Sequence, residues 1–278
     1  MKYIKALVLA IILSVIVVGD AYKEKHLCSI IASNDLEIPE SIDEGISEKE
    51  FNSVLDEFEN VMSPIVKDNG YKLQINRKWS DSTVNANTTV SGNKWVINAF
   101  GGLARYKGMD ADAFMMVMCH ELGHHLGGFP RKSWASNEGQ SDYYATSKCY
   151  RRMSYSKIKP LQVPKAVSQK CSIMHKSQEE INICEKGSMI GYTLASVLND
   201  LSGSPKSIDF TTPDKSEVSS TNDAHPKAQC RLDTYFAGAV CGMPYTEEFS
   251  PDSPSPGACA EEKGDKVGVR PHCWYKPQ

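Results

Sequence analysis

The residues with the clearest chemical potential form the segment His120-Glu121-Leu122-Gly123-His124. Residues four apart lie on one face of an α-helix, so the imidazoles of His120 and His124 can both bind a single metal ion. Glu121 is turned about 100° from His120 around such a helix, which places it beside the ion as a general base for water. The alternative is a pair of surface histidines, but the apolar run Phe114–Met118 predicts a buried helix, in which imidazoles need partners.

A second helix is predicted from about residue 137 to residue 153, after a connection short enough to favour antiparallel packing on the first helix. Glu138, in its first turn, then lies level with His124, and Asp142, one turn later, lies level with His120. This geometry predicts Glu138 as the third metal ligand and Asp142 as the carboxylate that fixes the tautomer of His120. Three protein ligands leave a fourth position open, as in catalytic zinc sites, so we expect one zinc ion per chain.

The two segments together resemble a known motif. HELGHH at 120–125, followed by Asn137-Glu138-Gly139-Gln140-Ser141-Asp142, is similar to the HExxH…ExxxD motif of gluzincin metallopeptidases of the HtpX and CAAX-prenyl-protease type. The resemblance covers about residues 93–240. It implies a zincin-like fold with an active-site helix pair. The short spacing between the two motif halves and the lack of membrane helices indicate a compact, exported relative.

Two further segments resemble elements of the same family. Asn98-Ala99-Phe100 resembles its NAF segment, in which an edge strand holds the substrate, so the resemblance implies that Asn98, Ala99 and Phe100 bind substrate. Strand addition at the edge of Lys94 to Phe100 would supply main-chain hydrogen bonds to a peptide. His225-Pro226 with Arg231 resembles the family's late HP…R element, which implies catalytic roles for His225 and Arg231.

Three alternatives are open for His225. It can donate a hydrogen bond to the negative charge that develops on the scissile carbonyl oxygen, with Arg231 positioning it or binding substrate. It can instead simply precede a proline at the start of a helix, with Arg231 solvated. In a third alternative, His225 occupies the open coordination position of the metal in a resting form.

These residues predict a zinc-dependent endopeptidase, an enzyme that hydrolyses peptide bonds in a peptide or protein substrate. A water molecule activated by the metal would attack, and Glu121 would act as the general base. One alternative is a periplasmic chaperone-like or binding protein with a residual zinc site, which the polar segment 203–224, expected to be a mobile loop, would cover. Another alternative is a zinc amidase that acts on a cell-wall substrate.

The residues of the site must be positioned by the surrounding helices and strands. The sequence pattern predicts one α+β domain over residues 22–278, with a small mixed or antiparallel sheet and with disulfides that cross-link it. Residues 22–46 are expected to be irregular. We predict helices over about 47–62, 110–127, 137–153, 179–201 and 227–240, and strands over 71–76, 83–90 and 94–100. The net charge of −3 and the absence of a basic stripe argue against a nucleic-acid partner.

The N-terminus and the cysteines predict export to the periplasm or beyond the cell. Lys2 and Lys5 precede an apolar run that ends at Gly19-Asp20-Ala21, which is typical of a signal peptide over residues 1–21; an uncleaved anchor is the alternative. No later segment is apolar enough to span a membrane. Nine cysteines favour four disulfides, with Cys119, in the middle of a helix, as the expected free thiol.

Overall fold

A computed structural model of the chain describes residues 27–153 and 162–277, and the predicted signal segment, residues 1–21, lies outside them. The described residues form a mixed α+β structure with a small sheet, seven α-helices and four disulfides, which confirms the predicted class. Within these ranges no helix combines the length and the apolar character needed to cross a membrane.

Four strands form the main sheet, in the order β1-β3-β4-β2. β2 and β4 are parallel, whereas β3 is antiparallel to both β4 and β1. The sheet is therefore mixed. Its strands are β1 (Cys28–Ser29), β2 (Lys72–Lys78), β3 (Ala86–Ser91) and β4 (Lys94–Phe100).

The expectation that Lys94 to Phe100 is an edge strand is wrong. β4 pairs with β2 along one side and with β3 along the other, so its backbone is a central part of the sheet. The physical reason is visible in its burial, because five of its seven side chains are buried, as in strands covered on both faces. The edge of β3 instead receives β1, a two-residue strand from the segment that was expected to be irregular.

The helices follow the predicted order with four differences. The first helix begins at its predicted capping box, in which Ser47 and Glu50 bond each other, but it continues past residue 62. The predicted second motif helix changes to a π-helix after Tyr144, and the helices at Gly101–Ala104 and Lys165–Met174 were not predicted. The helices are α1 (Glu48–Asp68), α2 (Gly101–Ala104), α3 (Ala111–Leu126), α4 (Glu138–Tyr144) with the π-helix Ala145–Cys149 and the 3₁₀ turn Tyr150–Arg152, α5 (Lys165–Met174), α6 (Gln178–Leu201) and α7 (Ala228–Val240).

Four disulfides join Cys119 to Cys149, Cys171 to Cys184, Cys230 to Cys273 and Cys241 to Cys259. The free thiol belongs to Cys28, so the expectation that Cys119 is free is wrong. Its position within an apolar helix correctly indicated burial, but burial does not show which element a side chain faces. Cys119 faces the π-helix that follows α4.

We predict that replacing both Cys119 and Cys149 by serine lowers the free energy of unfolding by about 3–4 kcal/mol, because the disulfide closes a loop of 30 residues in the unfolded chain. Chemical denaturation of the variant and the parent protein measures the difference. Alkylation of the denatured, unreduced parent should modify Cys28 alone. Modification of Cys119 would contradict the assignment.

Candidate metal centre

Helices α3 and α4 pack closely enough for their side chains to reach a common point. A β-carbon on Gly123 would lie 2.9 Å from the Cα of Ser141, so only glycine permits this approach of the two backbones. The connection between the helices contains a small hairpin, β5 (Arg131–Lys132) and β6 (Ala135–Ser136). Asn137 then caps α4 by accepting a hydrogen bond from the backbone N–H of Gln140, which fixes where the helix begins.

His120, His124 and Glu138 are brought together as the sequence predicted. Their ligand atoms all lie within 4.8 Å of one another, so this group could hold a metal ion. The distance from His120 Nε2 to Glu138 Oε2 is 3.2 Å, and that from His124 Nε2 to Glu138 Oε1 is 3.7 Å. The three side chains are buried, and neither Nε2 atom nor Glu138 Oε2 has a hydrogen-bond partner.

A metal ion can bind buried polar atoms that converge on one point and have no hydrogen-bond partner. Without such an ion, each of these groups loses its interaction with water and gains none in return. Ligand atoms about 2.0–2.1 Å from a tetrahedral zinc ion lie about 3.3 Å apart. The two measured distances, 3.2 and 3.7 Å, are close to this separation. Two imidazoles and one carboxylate form a donor set that zinc and several other divalent metals accept.

Hydrogen bonds on the far side of each imidazole ring leave the Nε2 atoms free for a metal. His120 Nδ1 lies 2.7 Å from Asp142 Oδ1, and His124 Nδ1 lies 2.8 Å from the carbonyl oxygen of Ser136. A carbonyl oxygen and an ionised carboxylate only accept, so each Nδ1 atom carries the hydrogen. The lone pair of a neutral ring is then on Nε2, which is the arrangement found in metal-binding histidines.

Asp142 is the centre of a buried network that orients His120. Arg231 donates to both carboxylate oxygens, at 2.7 and 2.8 Å, and the hydroxyl of Tyr235 donates to Oδ1 at 2.6 Å. Burial would raise the pKa of Asp142, but Arg231 and His120 outweigh burial and lower it well below the usual range. Arg231 therefore acts on the site through Asp142. Its side chain is buried, so the alternative of a solvated Arg231 is wrong.

The electrostatics of the three ligand residues favour a positive charge between them. Burial would lower the pKa of His120, but Asp142 and Glu138 raise it to about 9. Burial lowers the pKa of His124 to about 4, so this imidazole is neutral at pH 7. Burial would raise the pKa of Glu138, but the neighbouring histidines hold it at about 2. A divalent cation at this point would supply the charge that the His120 proton otherwise supplies.

Both carboxylate oxygens of Glu121 are buried beside the ligand group; no hydrogen bond of good geometry reaches them, although the backbone N–H of Ile30 lies close enough to lower the pKa of this carboxyl. Burial raises the pKa of Glu121 to about 8; the charge of His120 opposes this rise and that of Glu138 adds to it. A nearby cation would favour the ionised form of this carboxylate.

His225 also reaches the group, from the segment that precedes α7. Its Nε2 atom is 3.3 Å from Glu138 Oε2 and donates a hydrogen bond of 2.7 Å to the carbonyl oxygen of Ser29. Because Nε2 carries this hydrogen, it has no lone pair for a metal in this arrangement, which argues against the resting-ligand alternative. A hydrogen-bond donor is therefore available at the edge of the site.

Asn98, Ala99 and Phe100 are placed in the sheet and not on an open edge. The side chain of Asn98 bonds Asn76 at 2.9 Å and Asn87 at 2.7 Å, so it joins three strands. The side chains of Ala99 and Phe100 are buried. With the backbone of β4 paired on both sides, the basis for a substrate-binding role of these three residues is lost.

Several contributors to the site were not found from the sequence. Tyr235 and the carbonyl oxygen of Ser136 orient ligands or their partners, and the free thiol of Cys28 lies in β1 beside the site. Burial raises the pKa of Cys28 to about 12, and the carboxylates of Glu138 and Glu121 contribute to this rise. Tyr235 follows Arg231 by four residues on α7, so helical spacing was the one available signal for it.

Comparison with known proteins gives no relative. No family model matches the chain, and neither a curated protein nor a solved structure is significantly similar to it.

We predict that Asp142→Asn weakens the binding of a divalent transition metal by about 10–100-fold, because it removes the charge that orients His120. Competition with a coloured chelator measures the affinity. Asp112→Asn is the matched control, since Asp112 pairs with Lys186 at 2.6 Å on the opposite end of α3. Equal affinities for the two variants would contradict the role of Asp142.

Proposed function

We propose that this protein is a zinc-dependent endopeptidase. The observation that carries the proposal is the convergence of His120 Nε2, His124 Nε2 and a Glu138 carboxylate oxygen, all buried, with the buried carboxylate of Glu121 near them. Three ligands leave a coordination position open, as catalytic zinc sites require. The resemblance of both motif halves to the gluzincin metallopeptidases supports the same function.

Each residue of the site has a chemical role in this proposal. A zinc ion held by His120, His124 and Glu138 would make water a better nucleophile near neutral pH and polarise the peptide carbonyl. Glu121 accepts the proton of the attacking water and returns it to the leaving amine. The Nε2–H of His225 donates to the carbonyl oxygen as negative charge develops there.

The surroundings of the site support a substrate larger than a single amino acid. A cavity of about 850 Å³ adjoins His225 and Arg231, and residues of the 204–214 segment form part of its wall. This cavity can receive side chains of a peptide bound across the site. The four disulfides and the N-terminal apolar run support export to the periplasm or beyond the cell.

We predict that Glu121→Gln abolishes hydrolysis of unfolded protein substrates such as casein, with a loss of at least about 10²–10⁴-fold, because the amide accepts no proton. Metal content should stay at one equivalent, since Glu121 is not a ligand. Glu217→Gln, at an exposed position of the loop before α7, is the matched control and should keep full activity.

The same comparison separates the alternatives. A parent protein that binds zinc and unfolded polypeptides without cleaving them would identify a binding or chaperone-like protein. Release of fragments from purified cell wall, with casein left intact, would identify an amidase. Either result would contradict the proposed endopeptidase.

A further inference from the structure

The chain's own segment Leu27–Ile31 lies between β3 and residues of the candidate site. β1, within this segment, pairs with the edge of β3, with Cys28 opposite Thr88 and Ser29 opposite Asn87. The backbone N–H of Ile30 continues the pairing by donating to the carbonyl oxygen of Ala86 at 3.2 Å. The segment thus uses the main-chain contacts by which an extended peptide adds to a sheet.

The other side of the same segment contacts the residues of the site. The carbonyl oxygen of Ser29 accepts the 2.7 Å hydrogen bond from His225 Nε2, and that of Ile30 accepts a 2.6 Å hydrogen bond from Arg231 Nη1. These two carbonyl groups are successive along the backbone. The segment is therefore held between β3 on one side and His225 and Arg231 on the other.

The surroundings of two side chains, those of Cys28 and Ile30, describe how the segment is seated. Residues directly opposite in an antiparallel pair face the same side, so Cys28 faces the side of Thr88, whose hydroxyl contacts His125 on α3 at 2.7 Å. Ile30, two residues later, is fully buried in the hydrophobic core. Residues 31–34 then continue along the wall of the 850 Å³ cavity.

We propose that the groove between β3 and the His225–Arg231 pair is a peptide-binding cleft that Leu27–Ile31 fills as an internal pseudosubstrate. This proposal rests on the proposed endopeptidase function, because it assigns the peptide subsites and the resting state of that same site. The protein is latent while the segment is in the cleft, and a substrate must displace it.

The segment Leu27–Ile31 indicates which class of peptide can compete with it for the cleft. The ligand is an extended segment that pairs with β3 through its main chain. It carries a branched apolar side chain at the position of Ile30, because that site is fully buried and offers an apolar environment. A charged side chain at this position is excluded by the cost of burying it.

Cys28 provides a probe of the segment that does not depend on catalysis. The other cysteines of the described chain are in disulfides, so a thiol reagent such as dithionitrobenzoate reports on Cys28 in the folded protein. The experiment measures the labelling rate of the full chain together with its hydrolysis of a peptide substrate. Ile30→Ala loosens the segment, and Ile173→Ala, at a position of α5 with 74% exposure, is the matched control.

We expect Ile30→Ala to raise both the labelling rate and the hydrolysis rate by about ten-fold or more, with Ile173→Ala equal to the parent. A synthetic peptide with the sequence of residues 27–33 and the change Cys28→Ser should raise the labelling rate of the parent protein. The same peptide with Ile30→Asp should have no effect. Circular dichroism confirms that the variants are folded, and the peptide arm uses the parent protein if Ile30→Ala does not fold.

Labelling that responds neither to Ile30→Ala nor to the peptide overturns the proposal, and so does a folded Ile30→Ala protein whose hydrolysis falls. If labelling responds as expected but no variant hydrolyses peptides, the self-filled cleft is supported and the proposed endopeptidase function is refuted. The two failures are therefore distinct.

Discussion

The buried carboxylate of Asp142 is the interaction on which the rest of the site depends. It lies on α4 and accepts hydrogen bonds from His120 on α3 and from Arg231 and Tyr235 on α7. An ionised carboxylate costs several kcal/mol to bury unless such partners compensate it. Three helices must therefore keep their relative positions for the network to exist. A β-carbon on Gly238 would lie 2.7 Å from the carbonyl oxygen of Tyr143, which shows how closely α7 approaches α4.

This network determines which atoms are left for chemistry. Once Asp142 fixes one side of His120, and the carbonyl oxygen of Ser136 fixes one side of His124, both Nε2 atoms point to Glu138 without a partner. Burying polar atoms without hydrogen-bond partners lowers the stability of the fold, and such atoms are typical of functional sites. The same Arg231 that holds Asp142 also donates to the carbonyl oxygen of Ile30, so the network joins the candidate metal centre to the segment Leu27–Ile31.

The sequence predicted the parts of the site that helical geometry controls. His120 with His124, and Glu138 with Asp142, are each separated by four residues, and a short connection placed the two pairs side by side. The sequence did not predict β1, because a strand of two residues has no periodic pattern. It also did not predict the central position of β4, because a strand's own residues do not show which strands pair with it. The disulfide of Cys119 joins residues 30 positions apart, and the contact between Arg231 and Asp142 joins residues 89 positions apart. Spacing along the chain does not indicate contacts over such separations.

The most direct test of a metal ion bound by His120, His124 and Glu138 is anomalous X-ray diffraction at the zinc absorption edge. The crystals should come from protein purified without added metal or chelator. A zinc ion held by these residues gives one anomalous peak per chain, about 2.0–2.2 Å from His120 Nε2, His124 Nε2 and a carboxylate oxygen of Glu138. A peak at another position, or no peak between these three side chains, would contradict the proposed metal site.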